Sequence, residues 1–283
     1  MELWYRLLSV LPFDWAQPGR LMFMKNALLA ILLLAPVFAL LGTMVVNNRM
    51  AFFSDALGHG AFTGLVIGGM LGFLVPMWAA VIFSILFSVA VTTVRYRSGM
   101  APDTVIGVFS SAAVALGIFL ATGSGSGTAR LSAFLIGDIL SIGKKDILLL
   151  VLVLGGVLIL WALFFNRLLL ISISPSLARS RGVRVFREEL LFTVLVAVIV
   201  TISMPWIGLL VINSFLVLPA AASRNTASGS RQYTVLAVLV SVVSGVVGLF
   251  ASYAADTATG ATIVLVMTGF FFVSMLLGRR SAG

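Results

Sequence analysis

Residues 147–171 read ILLLVLVLGGVLILWALFFNRLLLI. A helix needs about 20 predominantly apolar residues to cross the roughly 30 Å hydrocarbon core of a bilayer, and this run supplies them. Working outward, comparable runs occupy Met22–Val46, Ala51–Gly72, Leu74–Val94 and Val105–Thr122 before it. After it come Glu189–Met204, Ile207–Ser223, Tyr233–Ala254 and Gly260–Leu277. The predicted fold is all-α: a polytopic membrane helical bundle of about nine transmembrane helices. The number is eight if the sixth and seventh runs, which share the Met204-Pro205-Trp206 turn, form one broken helix. A further apolar piece, Leu131–Ile142, is too short to span and contains Asp138. It reads as an interfacial or re-entrant helix in the loop before the fifth span.

The composition agrees. Of 283 residues, 61% are hydrophobic and 10% are charged, against about 45–50% and roughly 25% in soluble domains. That balance excludes a soluble globular enzyme and a disordered chain. The formal net charge of +9 could suggest nucleic acid, but the basic residues fall between apolar runs, where they act as topology signals. The expected environment is the lipid bilayer, with no nucleic-acid partner. The absence of cysteine excludes disulfides, thiolate metal sites and thiol catalysis.

Orientation follows from Lys and Arg. The stretch Ser172–Glu188 contains Arg179, Arg181, Arg184 and Arg187 and is expected in the cytoplasm. Alternation then places Arg49, Arg95, Arg97, Arg167, Arg224, Arg231, Arg279 and Arg280 inside as well. Arg6, Arg20, Lys25, Arg130, Lys144 and Lys145 fall outside, so the basic residues divide two to one in favour of the cytoplasm. The N-terminus is expected outside and the C-terminus inside. Residues 1–20 mix Trp4, Tyr5, Phe13 and Trp15 with charges, the pattern of an interfacial segment rather than of a cleaved signal. Residues 1–283 read as one transmembrane domain, since Gly123–Gly127 (GSGSG) is a short flexible loop. The likeness of Gly42–Asn47 (GTMVVN) to Gly208–Asn213 (GLLVIN) hints at an internal repeat, a common device in transporters.

A charged residue inside a span costs roughly 2.5–3.5 kcal/mol on insertion scales and is a functional hypothesis by default. In Ser54-Asp55-Ala56-Leu57-Gly58-His59 the carboxylate and the imidazole are four residues apart and share a helix face. Entering from Arg49, a rise of 1.5 Å per residue puts Asp55 about 9 Å deep and His59 about 15 Å deep, near the midplane. Transporter substrate sites tend to lie there, and imidazole with carboxylate suits Mn, Fe or Zn. The alternative is structural, with Asp55 capping a helix that begins at Ser54 and His59 bonded to a neighbouring carbonyl. Two ligands do not complete a metal shell, so water, backbone or another span would supply the rest. Gly58, Gly60, Gly64, Gly68 and Gly69 would let another helix approach closely, which places this span inside the bundle. Asp256 lies at the outer end of the eighth span, where a metal would enter or where a helix-end carboxylate would simply be solvated. Asp138 and Asp146 share that ambiguity.

No G-x-x-x-x-G-K-[ST] is present, so no Walker-type ATP site is expected in this chain. H-E-x-x-H and G-x-S-G are also absent, and catalysis is not expected.

Four stretches taken in order resemble the membrane permeases of ABC-type importers for zinc, manganese and iron. Val45–Gly64 (VVNNRMAFFSDALGHGAFTG) is similar to that family's first loop and second helix. Trp206–Ala222 (WIGLLVINSFLVLPAAA) resembles its helix ending in a Pro-Ala pair, here Pro219-Ala220. Phe134–Leu148, around Gly137, and Ser252–Ile263, around Gly260, resemble two further family stretches.

The resemblance implies a type II-like ABC importer permease that acts as a homodimer, or beside a close homologue. It would work on two copies of a cytoplasmic ATPase, with an extracytoplasmic metal-binding protein delivering the ion. It assigns Asp55 and His59 to the metal pathway. Residues 174–183 (SPSLARSRGV) resemble the coupling helix that docks into the ATPase, with Pro175, Ala178, Arg179 and Gly182 at the contact. No permanently bound cofactor is implied; the transported Mn, Zn or Fe ion is the cargo. Two departures stand out: Pro175-Ser176 replace an acidic residue usual early in the coupling loop, and Thr63 replaces a proline usual after the histidine. The rivals are an ion-coupled secondary carrier, which usually sets several ionisable groups across the midplane, and a membrane enzyme or receptor built around His59.

Overall fold

The computed structural model of the chain describes residues 21–73, 75–123 and 137–278. The interfacial segment 1–20, most of the glycine-serine loop, residues 131–136 of the short apolar piece and the C-terminal arginines lie outside them. Among the described residues all regular structure is helical. The helices are α1 (Met22–Asn47), α2 (Phe53–Met70), α3 (Pro76–Ser98), α4 (Pro102–Gly123), α5 (Lys144–Ile173), the short α6 (Pro175–Ser180), α7 (Val185–Ile207), α8 (Leu209–Arg224), α9 (Ser230–Ala255) and α10 (Thr259–Gly278).

The nine long helices match the nine apolar runs, with corrections. Seven are long and apolar enough to cross a membrane. The two others are α2, whose 18 residues include Asp55, His59 and five glycines, and α8, which has only 16 residues. The sixth helix starts at Val185 rather than Glu189, one turn earlier. It breaks from α8 at Gly208, not at Pro205, which lies inside α7. A proline blocks the hydrogen bond to the preceding turn but leaves φ helical; Gly208, at φ 82°, leaves helical space altogether. The described part of the short apolar piece forms one 3-10 turn, Ile139–Ser141. The two similar hexapeptides are not structural equivalents: Gly42–Asn47 ends a helix, whereas Gly208–Asn213 breaks one and begins the next.

Two groups of helices share α8. One joins α2, α3, α4 and α7; the other joins α1, α9 and α10, with α5 against α1. Helix α1 is buried along most of its length. Where α2 meets α3 there is no room for side chains: a Cβ on Gly64 would lie 2.6 Å from Phe83 Cβ and 2.8 Å from Ala80 Cα. Lipid tails are as apolar as leucine, so close packing and hydrogen bonds hold membrane helices together. Polar bridges accordingly join the elements. Thr201 donates to Ser84 at 2.9 Å, the Thr92 and Thr193 hydroxyls meet at 2.8 Å, and Ser241 donates to the Ala35 carbonyl at 2.9 Å. Lys25, expected at the outer surface, is buried in α1.

The loop between α5 and α7 carries α6. Ser174 caps it by accepting from the Leu177 amide at 3.3 Å, and Pro175 occupies the first helical position, where its missing N–H costs nothing. This is the local reason Pro175-Ser176 can stand in place of an acidic residue. Gly182, at φ 77°, turns the chain back. Ion pairs anchor the start of α7: Arg95 to Glu189 at 2.8 Å and Arg167 to Glu188 at 2.9 Å.

Candidate metal site

Helix α2 begins at Phe53 with no side-chain cap. Asp55 therefore lies in its first turn and does not cap it, although the helix dipole still favours an anion there. Four residues on, His59 Nε2 stands 3.5 Å from Asp55 Oδ2. Neither structural role open to the pair in the sequence is realised among the described residues. The carboxylate accepts from no backbone amide, and the imidazole does not reach a neighbouring carbonyl. In the single chain the Asp55 side chain is 43% exposed and that of His59 is 28% exposed, while Ser54, Ala56, Leu57, Gly58 and Gly60 between and beside them are buried. The two polar groups thus share an open strip on a segment, Phe53–Gly64, that is otherwise buried. Among the described residues no cluster of three or more His, Asp or Glu side chains completes a metal shell.

Thr63, the departure after the histidine, leaves α2 unbroken from Phe53 to Met70. Its hydroxyl donates to the Ala113 carbonyl of α4 at 2.7 Å, so a polar bond between helices occupies the proline position.

The neighbour of the Asp55/His59 strip is α8. Ser54 donates to Asn213 at 2.6 Å, and Gly58 faces the Leu209 side chain so closely that a Cβ there would collide with it. The two helices run antiparallel, and these contacts set the start of α8 level with His59. The α7–α8 break therefore lies level with the Asp55/His59 pair. Gly137 presses on that break from the loop before α5; a Cβ on it would strike the Gly208 amide. A cavity of about 570 Å³ opens beside the contact, lined by Gly137, Asp138, Leu210, Val211, Thr257 and Gly260 among others. Sequence reasoning singled out neither Asn213 nor the Gly137–Gly208 contact as part of the site. The available signals were a lone carboxamide in an apolar run and two glycines far apart in the chain.

Of the remaining acidic candidates, Asp138 and Asp146 bond the backbone and Asp256 does not among the described residues. Asp256 ends α9 in a left-handed conformation, φ 50°, and is exposed. Asp138 Oδ1 accepts from the Leu140 amide at 3.0 Å, and Asp146 Oδ2 accepts from the Gly143 amide at 2.9 Å. In the short helix α6, Ala178 is fully buried against Ile171 and Val185, so it seats the helix. Arg179 is exposed, with its Nε donating to the Pro175 carbonyl at 3.3 Å.

The model of the ABC 3 transport family matches residues 20–278. The chain belongs to that family. As a permease of this family it is a multi-pass protein of the bacterial cytoplasmic membrane. It is 30% identical over 256 residues to the high-affinity zinc uptake system membrane protein ZnuB of Haemophilus influenzae, covering 90% of this chain and 97% of that one. It is also 30% identical over 258 residues to the manganese import system permease protein ScaB of Streptococcus parasanguinis, covering 91% of each. Among solved structures, PsaBC from Streptococcus pneumoniae in complex with Fab aligns with a TM-score of 0.76 and 28% identity, covering 97% of the permease and 95% of that chain. Membership of an ABC family sets aside the ion-coupled carrier and the enzyme or receptor built around His59.

Proposed function

We propose that the permease carries a divalent transition metal ion (Mn, Zn or Fe) into the cell by alternating access, and that Asp55 and His59 bind the ion on its way through. The observation that carries this reading is the Asp55/His59 pair itself: two ligand groups one helical turn apart, open on one side, with no structural partner among the described residues but each other. Two donor atoms about 2.0–2.2 Å from one ion are roughly 2.8–3.1 Å apart at a right angle and about 3.3–3.6 Å apart at the tetrahedral angle, so the 3.5 Å between His59 Nε2 and Asp55 Oδ2 needs little adjustment to hold one. The zinc and manganese functions of the relatives named above support the same cargo.

An exposed carboxylate and imidazole cannot face hydrocarbon without a penalty of roughly 2.5–3.5 kcal/mol. A second permease copy or close homologue covers the strip in this reading and supplies further ligands, with water completing the shell. A two-residue contribution per chain keeps the site weak enough to release its ion. Energy comes from a separate cytoplasmic ATPase in two copies, and an extracytoplasmic binding protein delivers the metal. Helix α6 couples the two compartments: Pro175, Arg179 and Gly182 form its exposed ridge and turn, and Ala178 roots it on the ends of α5 and α7. When ATP closes the ATPase dimer, α6 passes the motion to α7 and on to the α7–α8 break. Asp256, at the outer rim, lies where the ion would enter.

The test is cellular uptake of labelled Mn, Zn and Fe by the permease expressed with its ATPase and binding protein. Asp55→Asn and His59→Ala are each expected to abolish accumulation of the transported metal at unchanged permease levels in the membrane. Uptake that survives both substitutions refutes the site.

A further inference from the structure

Helix α2 is tied to α8 by one side-chain hydrogen bond among the described residues, from the Ser54 hydroxyl to Asn213 Oδ1 at 2.6 Å. Its partners are 159 positions apart in sequence. Ser54 is fully buried and Asn213 is half-buried. The bond falls in the first turn of α2, the turn without a side-chain cap. Two of its amides are bonded to preceding carbonyls, Phe53 to Met50 at 3.0 Å and Ala56 to Phe52 at 3.1 Å, but no capping side chain fixes how the turn is rotated about the helix axis. Asp55 is the next residue, and successive residues are displaced by about 100° around the axis. Any rotation or fraying of this turn therefore swings the carboxylate away from His59, which is held one turn further in. Gly58 against Leu209 permits close approach but gives no rotational preference; the Ser54–Asn213 bond has direction. Asn213 also sits in the first turns of α8, five residues after the Gly208 break, so the bond ties Asp55 to the position of that break.

From this arrangement we infer that Asn213 is a positioning residue for the metal site, holding Asp55 and His59 in register with the broken end of α8 through Ser54. The inference rests on the reading of Asp55 and His59 as metal ligands. Groups that orient metal ligands without touching the metal typically change affinity 10–100-fold when removed, and a single neutral hydrogen bond places this one near the lower end.

The experiment uses the purified permease–ATPase complex in nanodiscs without binding protein. Binding of Mn2+ is followed by electron paramagnetic resonance of the free ion, and that of Zn2+ by competition with a fluorescent chelator. Asp55→Asn is expected to remove the site. Asn213→Leu, which keeps the branched shape but not the acceptor, and Ser54→Ala are each expected to weaken binding about tenfold. The double variant is expected to be no weaker than either single one, because both remove the same bond. Thermal unfolding of each complex reports folding separately, and Ser54→Ala keeps the test open if Asn213→Leu is unstable. Wild-type affinity in both single variants while Asp55→Asn loses the site overturns the inference and leaves the site standing. Single effects that multiply in the double variant also overturn it. If the wild type has no saturable site, or Asp55→Asn leaves one intact, the metal-site reading fails and the inference falls with it.

Discussion

Helices α5 and α2 are both membrane helices of one chain, and they are built on opposite principles. Helix α5 has 30 residues and turns large side chains outward along its length; Leu148, Leu152, Ile159 and Leu163 are each more than 60% exposed. Helix α2 has 18 residues, is rich in glycine and carries the only acid–imidazole pair. The medium explains α5, because any apolar side chain satisfies lipid. Neighbours explain α2: α3 fills the space left by Gly64 and Gly68, α8 that left by Gly58, and α4 accepts from Thr63. Where polar groups and glycines interrupt an apolar helix, backbone proximity and specific bonds replace hydropathy as the source of order.

Substitutions on the two helices can break or sharpen this contrast. The largest effect is expected from Gly64→Val in α2. Its new side chain would overlap Phe83 and the α3 backbone, and overpacking of this kind costs about 1–3 kcal/mol or more. The check is the yield of monodisperse permease after extraction, expected to fall several-fold. Next comes Gly208→Ala at the start of α8. Its φ of 82° strains a residue with a Cβ by about 1–3 kcal/mol, so the α7–α8 break should shift and transport should fall more than the amount of folded protein does. Uptake normalised to membrane level decides it. A smaller loss is expected from Thr63→Val, which removes the bond to Ala113. Interhelical bonds in membranes average about 0.6 kcal/mol, visible as a small drop in detergent unfolding temperature. Smallest of all is Leu152→Ala on α5, expected within about 0.5 kcal/mol of wild type. A large loss there would mean that α5 is covered by a partner rather than by lipid, and the contrast would fail.

Much of the fold was legible in the sequence. Hydropathy is a local property, so each apolar run revealed its helix. Errors gathered at the helix that breaks. Pro205 looked like the breaker because proline is the commonest one, but a proline can ride inside a helix, whereas Gly208 takes a φ that only glycine adopts freely. The hexapeptide repeat failed because similar Val- and Leu-rich letters carry no information about which end of a helix they occupy. Asp55 and His59 were conspicuous as candidates, because an ionisable pair at i, i+4 in an apolar chain stands out by itself. Asn213 was not, because an isolated carboxamide acquires meaning only from what it touches.

By itself, the sequence determined the class of solvent, the number and approximate limits of the helices, the candidate ligand pair and the resemblance to a family of permeases. All of these follow from residue chemistry read over a few turns. Only the tertiary structure decided that α8 starts level with His59, that Ser54 bonds Asn213, that Gly137 meets Gly208 and that the Asp55/His59 strip is left open. The reason is physical. In a bilayer every neighbouring helix is about as apolar as the lipid, so hydropathy cannot select among neighbours. The choice falls to close approach and to hydrogen bonds between residues far apart in the chain, and those exist only once it has folded.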